Sequence, residues 1–157
     1  MLILGIDPGT AITGFGLIEA KGSNLKFIGG GVIRTPAKQE LGLRLVTIYE
    51  ELDQLIRKHH PQQMAVELLY FAANVTTAIS VSHARGVVLL LAAQHSLPLK
   101  EYTPLQVKQA LTSYGRADKK QVQTMVKRLL GLSAIPQPDD AADALAVAIC
   151  HSAAITS

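Results

Sequence analysis

The residues of this chain best suited to chemistry are acidic: Asp7, Glu67, Asp139, Asp140 and Asp143. Asp7 ends a short aliphatic run, Leu2 to Ile6, and is followed by Pro8-Gly9-Thr10. Taken alone it reads equally well as a turn former, bonding nearby N–H groups. Gly9, Gly14 and Gly16 then either make tight turns or let the backbone pass close to something. Glu67 stands within the otherwise apolar Met64 to Leu69, with no lysine or arginine between Pro61 and Ala84. A lone carboxylate buried there costs several kcal/mol unless it is paired or bound to metal, and a distant Arg85 is the alternative partner. In the third group Asp140 and Asp143 share a helix face at i, i+3, and Asp139 and Asp143 share one at i, i+4. Spacing leaves both pairs open, and Asp139 also fits the role of helix cap. Asp143 precedes Ala144-Leu145-Ala146-Val147, an apolar helix that must pack inside, so its carboxylate wants a cation.

Carboxylates converging without a matching set of cations repel one another. A hard divalent cation relieves that repulsion, and Mg²⁺ commonly binds one or two carboxylates together with phosphate oxygens. Two such ions about 4 Å apart suit in-line attack on a phosphodiester. The five histidines show no metal-binding spacing and read as structural or surface residues.

The elements that must position these acids follow from pattern. Leu2 to Asp7, Gly14 to Ala20 and Leu25 to Arg34 read as strands of an antiparallel meander. Leu41, Leu45, Ile48, Leu52, Leu55 and Ile56 recur at helical spacing in an amphipathic helix, Leu41 to His60, stopped by Pro61. Met64 to Leu69 is a fourth strand. Asn74 or Thr76 caps a long helix reaching about Ser96, and Leu99 to Tyr102 is a fifth strand. Helices then open at Thr103-Pro104, at Asp118 and at Pro138-Asp139, the last reaching about Ala153. The expected fold is α/β, a mixed five-stranded sheet with helices on both faces. Sites in such sheets sit at strand ends, where Asp7 and Glu67 both fall.

At 157 residues, 48% of them hydrophobic and 17% charged, the chain suits one folded domain rather than disorder. The longest apolar run, Val87 to Ala93, is far shorter than the ~20 residues of a membrane span. No secretory signal is visible at Met1 to Ile6, and a single cysteine, Cys150, allows no internal disulfide, so a cytoplasmic location is expected. Net charge is only +3. Between Lys100 and Arg128, however, Lys100, Lys108, Arg116, Lys119, Lys120, Lys127 and Arg128 face only Glu101 and Asp118. Such a patch neutralises phosphates, or is simply a solvated helix face.

Gly5-Ile-Asp-Pro-Gly-Thr10, Val66-Glu67, Ala84-Arg-Gly-Val87, Val107-Lys-Gln-Ala110, Gly115-Arg-Ala-Asp-Lys-Lys-Gln-Val122 and Asp140-Ala-Ala-Asp-Ala-Leu-Ala146 together resemble the bacterial RuvC crossover-junction endonucleases. The resemblance covers nearly the whole chain in order. It implies a single ribonuclease-H-like nuclease domain over 1–157 and a homodimer that nicks four-way Holliday junctions symmetrically, in recombination and repair. It implies Asp7, Glu67, Asp140 and Asp143 as catalytic and metal-binding residues, leaving Asp139 as an extra acid. Mg²⁺ is the implied cofactor, two ions per site, with Mn²⁺ as a substitute. The implied DNA-binding set is Tyr70, Phe71, Arg85, Lys108, Arg116, Lys119 and Lys120, and the implied partner is the RuvA–RuvB branch-migration complex. Ala72-Ala73 departs from the family, whose members commonly carry a lysine before the position of Asn74. Rival readings are an actin- or sugar-kinase-like lobe, suggested by the Gly-Ile-Asp turn, a YqgF-like nuclease, and a non-catalytic junction binder.

Overall fold

A computed structural model describes residues 1–68 and 75–156, the side chains of 75–77 and 156 excepted. Tyr70, Phe71, Ala72, Ala73 and Asn74 lie outside the described residues. The elements run β1 (Leu2–Asp7), β2 (Ile12–Lys21), β3 (Asn24–Arg34), α1 (Leu41–His59), β4 (Gln63–Glu67), α2 (Val75–Gln94), β5 (Leu99–Tyr102), α3 (Pro104–Thr112), α4 (Lys119–Leu129) and α5 (Asp139–Thr156). The five strands form one sheet in the order β3-β2-β1-β4-β5. β1, β2 and β3 pair antiparallel, as the hairpin pattern implies, and β4 and β5 add in parallel.

Strand alternation decides what each face buries. Leu4 and Ile6 of β1, with Met64 and Val66 of β4, pack on one face against Ile48, Leu52 and Ile56 of α1 and Ala84, Val88 and Leu91 of α2. Ile3 and Ala65 turn the other way, into a core shared with α3, α4 and α5. By the same period of two, Asp7 and Glu67 project from that second face, toward α5. They stand at the carboxyl ends of adjacent parallel strands, one step beyond the paired Ile6 and Val66.

α5 lies against the sheet because glycine leaves room for it. A β-carbon on Gly5 would stand 2.1 Å from the Ala144 carbonyl oxygen, and one on Gly14 would stand 2.0 Å from that of Asp140. Of the two roles open to Gly14, tight turn or close approach, the fold uses the second.

Some boundaries differ from the sequence pattern. β4 ends at Glu67, although Leu68 still donates its N–H to the Tyr102 carbonyl. α5 continues to Thr156, beyond the expected Ala153. Thr76 lies inside α2, so it is not that helix's cap. The Thr103 and Asp118 caps are as expected. Thr103 pairs with Gln106, and Asp118 with Gln121, in reciprocal capping boxes, each satisfying two otherwise orphaned N–H donors. The Asp118 cap fixes Lys119 as the first residue of α4.

Gly14→Ala is therefore expected to push α5 off the sheet. Denaturant unfolding should show a loss of about 1–3 kcal/mol, the usual cost of overpacking, and an unchanged midpoint would contradict this seating.

Candidate active site

Asp7 and Glu67 sit side by side at the ends of β1 and β4, and their carboxyls are hydrogen-bonded to each other. α5 brings Asp140 and Asp143 near enough to act on Asp7 electrostatically. Burial, then repulsion from Glu67, Asp143 and Asp140, pushes the Asp7 carboxyl up to about 8. Burial and the acidic neighbours thus favour a proton held by the Asp7–Glu67 pair. Burial raises Glu67 as well, reinforced by Asp143 and opposed by the Asp7 hydrogen bond and the charges of Lys119 and Lys108. Asp143 is raised by burial, opposed by Lys119.

The loop behind Asp7 is tied down by hydroxyls. Thr13 donates to the Gly9 carbonyl at 2.7 Å. Thr35 donates to the Thr10 carbonyl and accepts from Arg44 Nε at 2.8 Å. The Thr10 and Ser80 hydroxyls share a further bond, connecting the loop to α2. Thr10 belongs to the Gly5 to Thr10 motif, but Thr35, twenty-five residues away, carried no motif signal.

Lys119 faces the acids directly. Lys119 Nζ is 3.0 Å from Asp143 Oδ2 and 3.3 Å from Asp139 Oδ2. Burial pulls its ammonium down, but the bonds and charges of Asp143 and Asp139 outweigh that and hold it above the usual lysine value. Lys119 and Lys108 also line a cleft of about 250 Å³ with Glu67 and Asp143, walled by Val107 and Val122. Asp139 opens α5 but does not cap it with its side chain. Oδ1 accepts from Gln123 Nε2 at 3.1 Å and Oδ2 meets Lys119, so both oxygens are turned to α4.

Other expected site residues are placed differently. Arg85, the alternative partner for Glu67, is instead held in a two-pronged contact by Glu101, with Nη2 to Oε2 at 2.8 Å. Arg116 and Lys120 are exposed, Arg116 just before α4 and Lys120 on its first turn. His151 is buried between Tyr102 and Gln63, and His95 pairs with Asp53. Within α2, Val88 and Leu91 are fully buried in the monomer, while Ile79 and Leu90 are half exposed.

Among the described residues, no three His, Cys, Asp or Glu side chains are closed around a point as a finished metal cage. Asp7, Glu67, Asp140 and Asp143 form a repelling cluster instead, opposed in part by Lys119. An all-oxygen donor set with too little positive charge fits a hard divalent cation.

A mixed sheet of this order, with helices on both faces, is the ribonuclease-H-like fold. The family model for "Crossover junction endodeoxyribonuclease RuvC" matches residues 3–151, and the chain belongs to that family of endonucleases. It is 60% identical over 152 residues to the RuvC of Desulfitobacterium hafniense, covering 97% of this chain and 92% of that one. It is 55% identical to that of Alkaliphilus oremlandii, covering 97% and 93%. The structure of T. thermophilus RuvC in complex with Holliday junction substrate superposes with a TM-score of 0.95 at 34% identity, covering 99% of this chain and 95% of that one. The yeast mitochondrial resolvase Ydc2, at 16% identity and a TM-score of 0.68, shares the fold. Family membership sets aside the kinase-lobe reading. Enzymes of this family are metal-dependent nucleases. Among the described residues no helix is long and apolar enough to cross a membrane.

The raised Asp7 carboxyl has a definite pH signature. Unfolded, Asp7 ionises near 3.8, and folded it ionises near 8. Between those values the folded state holds the extra proton, so metal-free stability is greatest below the lower value and is lost as pH rises through the upper one. Asp7→Asn removes that loss. The variant should melt above the unmodified chain at pH 8 in chelator, by roughly 2–4 °C per kcal/mol relieved, and the gap should close toward pH 4. Equal melting at both pH values would contradict the buried, protonated Asp7.

Proposed function

We propose that this chain is a Holliday junction resolvase acting in homologous recombination and DNA repair, and that Asp7, Glu67, Asp140 and Asp143 are its catalytic, metal-holding residues. The observation that carries this reading is the convergence of these acids beside a cleft lined by Lys108 and Lys119. Bound there, two Mg²⁺ ions, or Mn²⁺ in their place, would activate water and stabilise the leaving oxygen. The protein's part is geometric and electrostatic. Asp7 and Glu67 present oxygens from the rigid sheet, while Asp140 and Asp143 present theirs from α5. Lys108 and Lys119 hold the DNA backbone along the cleft, so that the scissile phosphate lies over the carboxylates. The products are 5′-phosphate and 3′-hydroxyl ends, which a ligase can join.

Arg116 and Lys120, exposed around the start of α4, extend the phosphate-contacting face, supported by their position beside Lys119. Arg85 joins that set only by giving up Glu101. Tyr70 and Phe71, from the segment that follows Glu67 and Leu68, are proposed to stack on unpaired bases at the junction centre. The chain works as one nuclease domain over 1–157. A homodimer suits the two-fold symmetry of the substrate, and exposed Ile79 and Leu90 on α2 are available to it. The remaining proposed context is cytoplasmic, with the RuvA–RuvB branch-migration complex as partner.

A synthetic four-way junction, a linear duplex and an RNA–DNA hybrid, each with and without Mg²⁺, separate this function from its rivals. Selective, paired nicking of the junction with Mg²⁺ is expected. Preferential cleavage of the hybrid or the duplex would point to another nuclease, and binding without cleavage to a non-catalytic binder. Asp7→Asn and Glu67→Gln should abolish nicking while junction affinity is largely kept, and full activity in either would sink the site assignment. Lys119→Met should make log affinity fall less steeply with log salt, by about one unit for each phosphate left without its cation.

A further inference from the structure

Asp139 has no part in the proposed metal set, yet its carboxylate touches Lys119 and is also held by α4. Gln123, mostly buried in α4, donates to its Oδ1 at 3.1 Å. Its Oδ2 lies 3.3 Å from Lys119 Nζ, and the same ammonium lies 3.0 Å from Asp143 Oδ2. Lys119 thus bridges one acid assigned to the metal site and one outside it. The two acids differ in surroundings. The Asp143 side chain is 27% exposed and faces the cleft, whereas that of Asp139 is 53% exposed and turned to α4. A divalent cation at Asp143 competes for the same carboxylate as the ammonium, and like charges cannot share it closely.

We propose that Asp139, anchored by Gln123, is a second berth for Lys119, so that this lysine yields Asp143 to a divalent cation without leaving the site. The inference rests on the metal reading of Asp143 given above. Before a metal binds, Lys119 neutralises Asp143 and limits the repulsion within the cluster. Afterwards Asp139 holds the ammonium at the rim, where the DNA backbone passes. Asp139 is therefore a positioning residue acting through Lys119 and not a metal ligand.

The test is Mn²⁺ binding to the free, full-length protein by calorimetry, without DNA, for the unmodified chain, Lys119→Met, Asp139→Asn and the double variant. Lys119→Met removes the competitor and should tighten Mn²⁺ binding by roughly three- to tenfold. Asp139→Asn confines Lys119 to Asp143 and should weaken binding. In the Lys119→Met background the same change should cost less, because only the direct attraction of Asp139, which also acts on Asp143, is then lost. The two substitutions should thus be non-additive by a factor of roughly two to ten. Additivity within error overturns the proposal, and an equally large loss from Asp139→Asn in both backgrounds makes Asp139 a ligand instead. Absence of Mn²⁺ binding in the unmodified chain overturns the metal reading and this proposal with it. Because no cleavage is measured, a failure to nick junctions is read separately.

Discussion

Mutual repulsion among carboxylates brought together in a poorly solvated place is the constraint on which this structure turns. Nothing in the isolated fold removes it entirely. A proton retained on Asp7 relieves part, its carboxyl being pushed up to about 8 by burial and by its acidic neighbours. The Lys119 ammonium on Asp143 relieves another part. Both expedients are reversible, which fits the divalent-cation site proposed for these acids.

The scaffold serves that constraint with little spare material. Alternation along β1 and β4 sends Asp7 and Glu67 to one face, and their parallel pairing sets them at the same level. Glycine at positions 5 and 14 lets α5 press its backbone against the sheet, which brings Asp140 and Asp143 within electrostatic reach of Asp7. The basic side of the cleft comes from α3 and α4, each begun by a reciprocal capping box. The Asp118 cap fixes Lys119 directly after it, and a frayed α4 would leave its ammonium without a fixed origin.

Much of this was legible in the residues themselves. The strand pattern, the Thr103 and Asp118 caps and the oddity of Glu67 in an apolar strand all follow from local rules, and the elements formed accordingly. What periodicity could not reveal were contacts between residues far apart in the chain. Arg85 was the alternative partner for Glu67, and the fold places it instead on Glu101, sixteen residues away. Asp139 read as a cap, but Gln123 and Lys119, reached across a helix–helix contact, claim both its oxygens. The Thr10, Thr35 and Arg44 bonds behind Asp7 were similarly silent, because hydroxyls and a surface arginine carry no spacing signal. The choice of Asp140 over Asp139 came from the family pattern and not from helical geometry.

The most direct measurement of the central claim is the titration of the Asp7 carboxyl by carbon-detected NMR, in chelator and then in saturating Mg²⁺. The structure requires a carboxyl that loses its proton near 8 without metal and that falls back to or below the ordinary carboxylate range once Mg²⁺ is bound. An Asp7 that titrates normally in chelator, and does not respond to Mg²⁺, would contradict the account of a repelling cluster waiting for a cation.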